Sequence, residues 1–231
     1  MLSEQDLARF EETIGYTFKN KELLIQAFTH SSFVNEQKIN KKEDYERLEF
    51  LGDAVLEMVS SAFLFKKYPD KKEGEMSKIR ASLVCEPALA FAAEKLDIRS
   101  YMQLGKGEEA TGGRNKESII ADMVEAVIGA LFLDGGINDA KHFIDKYILT
   151  NADSMQMFSD SKSILQEFVQ ANNLGDITYE IYGESGPEHD KIFDVRVLVG
   201  EKNLGEGSGR TKKAAEQKAA YQALLALKSN N

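Results

Sequence analysis

The chain has 231 residues, is 42% hydrophobic and carries a formal net charge of −9. That length suits one well-buried core and a second small domain, and the single cysteine, Cys85, excludes an internal disulfide and favours a reducing cytoplasm. No apolar run reaches the roughly 18 residues of a membrane-spanning helix, so a membrane role is not expected. The acidic balance argues at first against a nucleic-acid partner, which normally meets a basic surface.

The spacing of apolar residues divides the chain into two regions of different structure. From Glu4 to about Tyr147 they recur every three or four residues, which predicts an all-α domain over 1–150. The polar stretch TNADSMQMFSDS predicts a linker over 151–160. Over 161–230 the helical spacing of KSILQEFVQ, two alternating segments, a shorter third strand in KNLGEGSGR and an alanine-rich helix predict a small α+β domain of order α-β-β-β-α.

Three acidic residues share one face of a predicted helix in the segment YERLEFLGDAVLEMV. Glu46, Glu49 and Asp53 are spaced i, i+3 and i+7, and the rest of the helix is mostly apolar. Burying several carboxylates costs free energy unless a cation compensates them. Gly52 interrupts a run of residues that strongly favour helix, which indicates that another backbone segment approaches closely beside Asp53.

A second apolar helix, IIADMVEAVIGALFL, carries Asp122 and Glu125 at i and i+3. Taken alone, either acidic set is more often a solvated helix face. If the two helices converge, the oxygen ligands without nearby histidine or cysteine suit Mg²⁺, for which Mn²⁺ can substitute. Such a cage favours phosphodiester hydrolysis, because cations neutralise the phosphate and activate water. The acidic net charge is then partly the metal site itself.

The same segments resemble a known family. ERLEFLGDAVL and DMVEAVIGALFLDGG resemble the two metal-binding helices of ribonuclease III endonuclease domains, and FTHSSF, EGEMSKIRASLV and GGRNKESIIAD agree with that family. The α-β-β-β-α region resembles a double-stranded-RNA-binding domain. The resemblance implies a Mg²⁺-dependent homodimer that cuts double-stranded RNA, leaves 5′-phosphate and 3′-hydroxyl ends with two-nucleotide 3′ overhangs, and processes ribosomal RNA precursors and structured messenger RNA.

The resemblance also implies roles for individual positions in the first domain. The implied metal ligands are Glu49, Asp53, Asp122 and Glu125. Glu46 and Glu73 are the implied outer acids of the same site, and Phe50 is the implied dimer-interface residue that inserts into the partner. Asp53 and Glu125 are the implied catalytic positions. Without the resemblance, Phe50 would be assigned to the core.

In the second domain the resemblance implies three RNA contact regions, which together read the shape of about 16 base pairs. The implied residues lie on the first helix, in the loop between strands and at the start of the last helix: Ser163, Gln166, Glu167 and Gln170, then His189, then Arg210, Lys212 and Lys213. Cations at a helix N-terminus favour an anionic ligand such as phosphate. The alternative for each group is ordinary solvated surface.

Two other functions stay open from the residues alone. One is a regulator that grips structured RNA without cutting it, in which case Asp53→Asn would leave the biological effect unchanged. The other is an unrelated helical metallohydrolase acting on nucleotides, which would stay fully active after deletion of residues 159–231.

Overall fold

The computed structural model describes residues 2–37, 43–151, 157–158, 160–186, 191–209 and 211–229. The chain forms two compact units, Met1–Ala152 and Asp153–Asn231. The first is helical, and the described residues of the second combine a three-stranded sheet with helices, which confirms the predicted fold class.

In the helical unit, local signals set several helix ends. Ser3 Oγ accepts a hydrogen bond from the backbone N–H of Asp6, and the helix that follows ends at Gly15 in the left-handed region, with φ of 75°. The helices are α1 Glu4–Ile14, α2 Lys21–Ala27, α3 Ser31–Gln37, α4 Glu46–Lys67, α5 Glu73–Val84, α6 Glu86–Glu94, α7 Ile98–Tyr101, α8 Lys106–Ala110, α9 Glu117–Gly135 and α10 Ile137–Tyr147. Short 3-10 turns follow α8 and α10, at Gly113–Asn115 and Leu149–Asn151.

Helix α9 forms the centre of this unit, and α4 crosses it at two glycines. A Cβ atom on Gly52 would lie 1.8 Å from the carbonyl oxygen of Glu125, and one on Gly129 would lie 2.2 Å from that of Leu48. Any larger residue would push the helices apart. The close approach predicted at Gly52 is therefore confirmed, and the backbone it meets is that of an acidic residue.

In the second unit, α11 (Ser161–Ala171) and α12 (Lys212–Ser229) cover one face of a sheet. Strands β1 (Ile177–Ser185), β2 (Ile192–Val199) and β3 (Lys202–Gly209) are antiparallel in the order β1-β2-β3. Alanines of α12 pack directly on the glycines of β3, since a Cβ atom on Gly205 would lie 2.4 Å from the carbonyl oxygen of Ala219. These small residues explain how about 70 residues bury a continuous core.

Helices α4 and α9 are the longest of the helical unit, with 22 and 19 residues. Within the described ranges, no helix is both long enough and apolar enough to span a bilayer.

Candidate functional site

The α4–α9 crossing brings acidic side chains from two distant sequence segments together. Glu49 projects from the start of α4, and Asp122 and Glu125 project from α9. One carboxylate oxygen from each lies within 4.8 Å of the other two, and all three side chains are half-buried. Among the described residues, these three form the group of acidic, histidine or cysteine side chains that lie close enough together to bind one metal ion.

Burial and neighbouring negative charges destabilise the charged forms of the carboxylates in this acidic cluster. Burial raises the pKa of Glu125 to about 8, helped by the negative charges of Asp53, Glu49 and Asp122. Burial also raises the pKa of Glu49 to about 7, and the charge of Asp122 adds to that effect. The pKa of Asp122 is raised as well, mainly by burial. The cluster holds more negative charge than its surroundings compensate.

The donor set of the cluster fits a hard divalent cation. It offers only carboxylate oxygens, from Glu49, Asp122 and Glu125. A bound cation would offset the free-energy cost of burying these charges near other negative charges, which is the cost that raises their pKa values. These same oxygens could hold Mg²⁺ or Mn²⁺.

The other acids assigned from the sequence lie outside this trio. Asp53 and Glu46 are exposed on α4, yet the charge of Asp53 raises the pKa of both Glu49 and Glu125. Glu73 is exposed at the start of α5, where it accepts a hydrogen bond from Ser77 Oγ at 2.8 Å. Within one chain Glu73 is not brought into the cluster, and its role stays a prediction.

Two side chains of the site escaped the sequence analysis. Tyr45 donates a hydrogen bond from its hydroxyl to Asp122 Oδ2 at 3.0 Å. Glu86, exposed at the start of α6, adds negative charge that raises the pKa of Asp122 and Glu125. Neither residue lies in an acidic helical pattern, and each reaches the site only through the tertiary fold.

The aromatic side chain of Phe50 follows Glu49 on α4 and is 81% exposed. It does not belong to the core of its own chain. Met58 and Phe65 lie on the same side of α4 and are also largely exposed.

On the second unit, the predicted RNA-facing side chains of α11 share one exposed surface. Ser163, Gln166, Glu167 and Gln170 point away from Leu165 and Val169, which are buried in the core. Gln166 and Gln170 line a surface cavity with Lys162 and Tyr179. This face can offer amide, hydroxyl and carboxylate groups to a ligand.

The start of α12 carries two exposed lysines, Lys212 and Lys213. Thr211 Oγ1 accepts a hydrogen bond from the backbone N–H of Ala214 and so caps the helix. The two lysines therefore lie at the N-terminus of the helix, which is the positive end of the helix dipole. The other two predicted contacts, His189 and Arg210, lie outside the described residues.

Comparisons with known proteins match both units. A family model described as Ribonuclease-III-like matches residues 20–152, and one described as double-stranded RNA binding motif matches residues 161–227. Ribonuclease 3 of Shouchella clausii is 51% identical over 233 aligned positions, covering 98% of this chain and 89% of that protein. Ribonuclease 3 of Listeria monocytogenes is 51% identical over 93% of this chain and 94% of its own length.

Among solved structures, the nuclease domain of ribonuclease III from Campylobacter jejuni superimposes with a TM-score of 0.58 at 41% sequence identity. It covers 63% of this chain and 97% of that domain, and its description concerns flexibility in a region involved in dimer formation.

Proposed function

Because this chain belongs to the ribonuclease III family and is a double-stranded-RNA endoribonuclease, we propose that it hydrolyses the duplex with Mg²⁺ held by its acidic cluster. The proposed products carry 5′-phosphate and 3′-hydroxyl ends with two-nucleotide 3′ overhangs. The observation that carries the proposal is the meeting of three carboxylates from α4 and α9 within 4.8 Å.

Each acid has a distinct place in the proposed site. Glu49, Asp122 and Glu125 would hold the cation, since their half-buried oxygens converge. Asp53, whose charge acts on Glu49 and Glu125, would be a further ligand of the cation and, with Glu125, a catalytic position. When bound, the cation would neutralise phosphate charge and lower the free energy of the developing negative charge in the transition state. The protein's own contribution is to hold the carboxylates in fixed positions on packed helices.

The second unit would hold the duplex by shape. A-form RNA presents 2′-hydroxyls and phosphates, which suit the exposed polar face of α11 and the lysines that open α12. The chain's net charge of −9 does not conflict with this, because residues 1–158 account for −7 of it and residues 159–231 for only −2. Within the second unit, Lys212 and Lys213 supply local positive charge.

We further propose that the enzyme works as a homodimer through the exposed apolar stripe of α4, with Phe50 inserted into the partner. Phe50, Met58 and Phe65 are 81%, 53% and 71% exposed, an unusual exposure for three large apolar side chains on one helix. Sedimentation of wild-type and Phe50→Ala protein tests this, with Leu174→Ala in the other unit as control. A wild-type monomer at micromolar concentration would overturn it.

The proposed substrates are ribosomal RNA precursors and structured messenger RNA, in a reducing cytoplasm that suits a chain with one cysteine. Mapping RNA ends in cells with and without the active enzyme tests this. Precursors that do not accumulate on its loss would contradict the assignment.

A duplex-cleavage assay tests the activity itself. Purified full-length protein is mixed with an end-labelled perfect duplex several times longer than the ~16 base pairs that such a domain covers. Cleavage is expected with Mg²⁺ or Mn²⁺ and not with chelator, and sequencing of the products should show the staggered ends. Binding of the duplex without any cleavage at saturating Mg²⁺ would favour an RNA-binding regulator instead.

A further inference from the structure

Tyr45 stands at the junction of the two helices that carry the acidic cluster. Its carbonyl oxygen accepts hydrogen bonds from the backbone N–H groups of Leu48 and Glu49, at 2.8 and 2.9 Å. Its own N–H donates to the carbonyl oxygen of Thr29 at 2.9 Å. The backbone of Tyr45 is therefore fixed on both sides, and it begins the helix that presents Glu49.

The side chain of Tyr45 crosses from this helix to the other one. Its hydroxyl donates to Asp122 Oδ2 at 3.0 Å, while only 4% of the residue is exposed. Since the phenol is buried, little water can compete for the bond. A hydrogen bond to a carboxylate restricts its rotation, and that restriction keeps Asp122 turned in a defined direction among charges that repel it.

His30 supports the ring of Tyr45 from the side. The two rings lie 5.6 Å apart at an angle of 56°. The backbone N–H of Ser32 donates to His30 Nδ1 at 3.1 Å, so that nitrogen is an acceptor and a neutral ring carries its proton on Nε2. The backbone N–H of His30 donates to the carbonyl oxygen of Gln103 at 3.1 Å. A fixed imidazole thus limits where the phenol can move.

We infer that Tyr45 is a positioning residue that orients Asp122 for cation binding. The inference rests on the proposed function, since it takes the acidic cluster as the cation site. The competing possibility is that Tyr45 serves only the core and the start of α4. The two roles differ in what the hydroxyl does, because the aromatic ring alone supplies the packing.

The test is Tyr45→Phe in the full-length protein, with Mn²⁺ binding measured by calorimetry in the absence of RNA. The Mn²⁺ dissociation constant is expected to rise about tenfold, as is usual when a hydrogen bond that orients a metal ligand is lost. Tyr147→Phe is the matched control, because Tyr147 is also buried and donates to a backbone carbonyl, that of Thr13, at 2.6 Å. It should leave Mn²⁺ binding unchanged.

Two further readouts separate positioning from a structural role. Thermal unfolding of the two variants should be similar, and the cation concentration that gives half-maximal cleavage should rise about tenfold for Tyr45→Phe alone. Duplex affinity without divalent cations should not change.

Three results would overturn the inference. One is wild-type Mn²⁺ affinity in Tyr45→Phe, another is an equal loss in both variants, and the third is a melting temperature lowered in Tyr45→Phe alone. A wild-type protein that binds no Mn²⁺ would instead refute the proposed cation site, and the inference with it.

Discussion

The acidic cluster of the helical unit and the RNA-facing surface of the second unit are built in opposite ways. Glu49, Asp122 and Glu125 are half-buried and converge from two helices, and burial together with neighbouring negative charges raises their pKa values. The polar face of α11 and the lysines of α12 are exposed and spread over a surface. A site that concentrates charge depends on exact backbone packing, whereas a surface that reads duplex shape tolerates small displacements. Loss of one residue should therefore cost far more in the first than in the second.

The largest effect is expected for Glu125→Gln, which removes one proposed cation ligand but keeps the size and shape of the side chain. Losing several kcal/mol of transition-state stabilisation should slow single-turnover cleavage by about two to three orders of magnitude. Duplex affinity should stay near the wild-type value. Glu12→Gln, at an exposed position of α1, is the control and should cleave normally. Near-normal cleavage by Glu125→Gln would remove that residue from the site.

The helix crossing should be almost as sensitive. In Gly129→Ala the new methyl group would meet the carbonyl oxygen of Leu48, which lies 2.2 Å from the ideal Cβ position. We expect a loss of about 1 to 3 kcal/mol in the free energy of unfolding, together with slower cleavage. Urea denaturation monitored on the helical unit measures the first.

Gly74→Ala provides the matched comparison for this change. Gly74 lies in the first turn of α5, and a Cβ atom there meets nothing within 4 Å. Alanine should be neutral or stabilise the helix by up to about 1 kcal/mol. Equal effects at both glycines would show that the crossing does not constrain the site.

The raised pKa values predict how stability depends on pH without cation. Glu125 and Glu49 have folded-state pKa values of about 8 and about 7, against an ordinary value of 4.5. Between pH 4.5 and about pH 8 the folded state therefore binds more protons than the unfolded state. The free energy of unfolding consequently falls as the pH rises through this range. In chelator, the helical unit should melt lower at about pH 8 than at about pH 6.

Adding Mg²⁺ should reverse that loss, and should raise the melting temperature more at the higher pH, because the cation binds the ionised carboxylates. Glu125→Gln serves as the comparison and should flatten the pH dependence. A Mg²⁺ effect that is the same at both pH values would argue against ionisation within the cluster.

The smallest effect is expected on the RNA-binding surface. Lys212→Ala should weaken duplex binding only a few-fold and reduce the slope of log affinity against log salt by about 1, because one phosphate contact is lost. Fluorescence anisotropy over a salt series measures it, with the exposed Lys202→Ala as control. An unchanged slope would exclude Lys212 from the phosphate contacts.

The sequence by itself predicted both units and their order, because helical and strand periodicities are local properties. It also placed Glu46, Glu49 and Asp53 on one helix face, since 3.6 residues per turn dictates that. The close approach at Gly52 was predictable too, because glycine weakens a helix and suits its interior mainly where another backbone needs the space of a side chain.

Only the tertiary structure decided which acids meet. The crossing at Gly52 and Gly129 brings Glu49 to Asp122 and Glu125 and leaves Asp53 exposed beside them. It also recruits Tyr45, whose hydroxyl reaches an aspartate 77 positions away in the chain. Such contacts depend on how two helices pack against each other. The spacing of residues within one segment therefore cannot predict them.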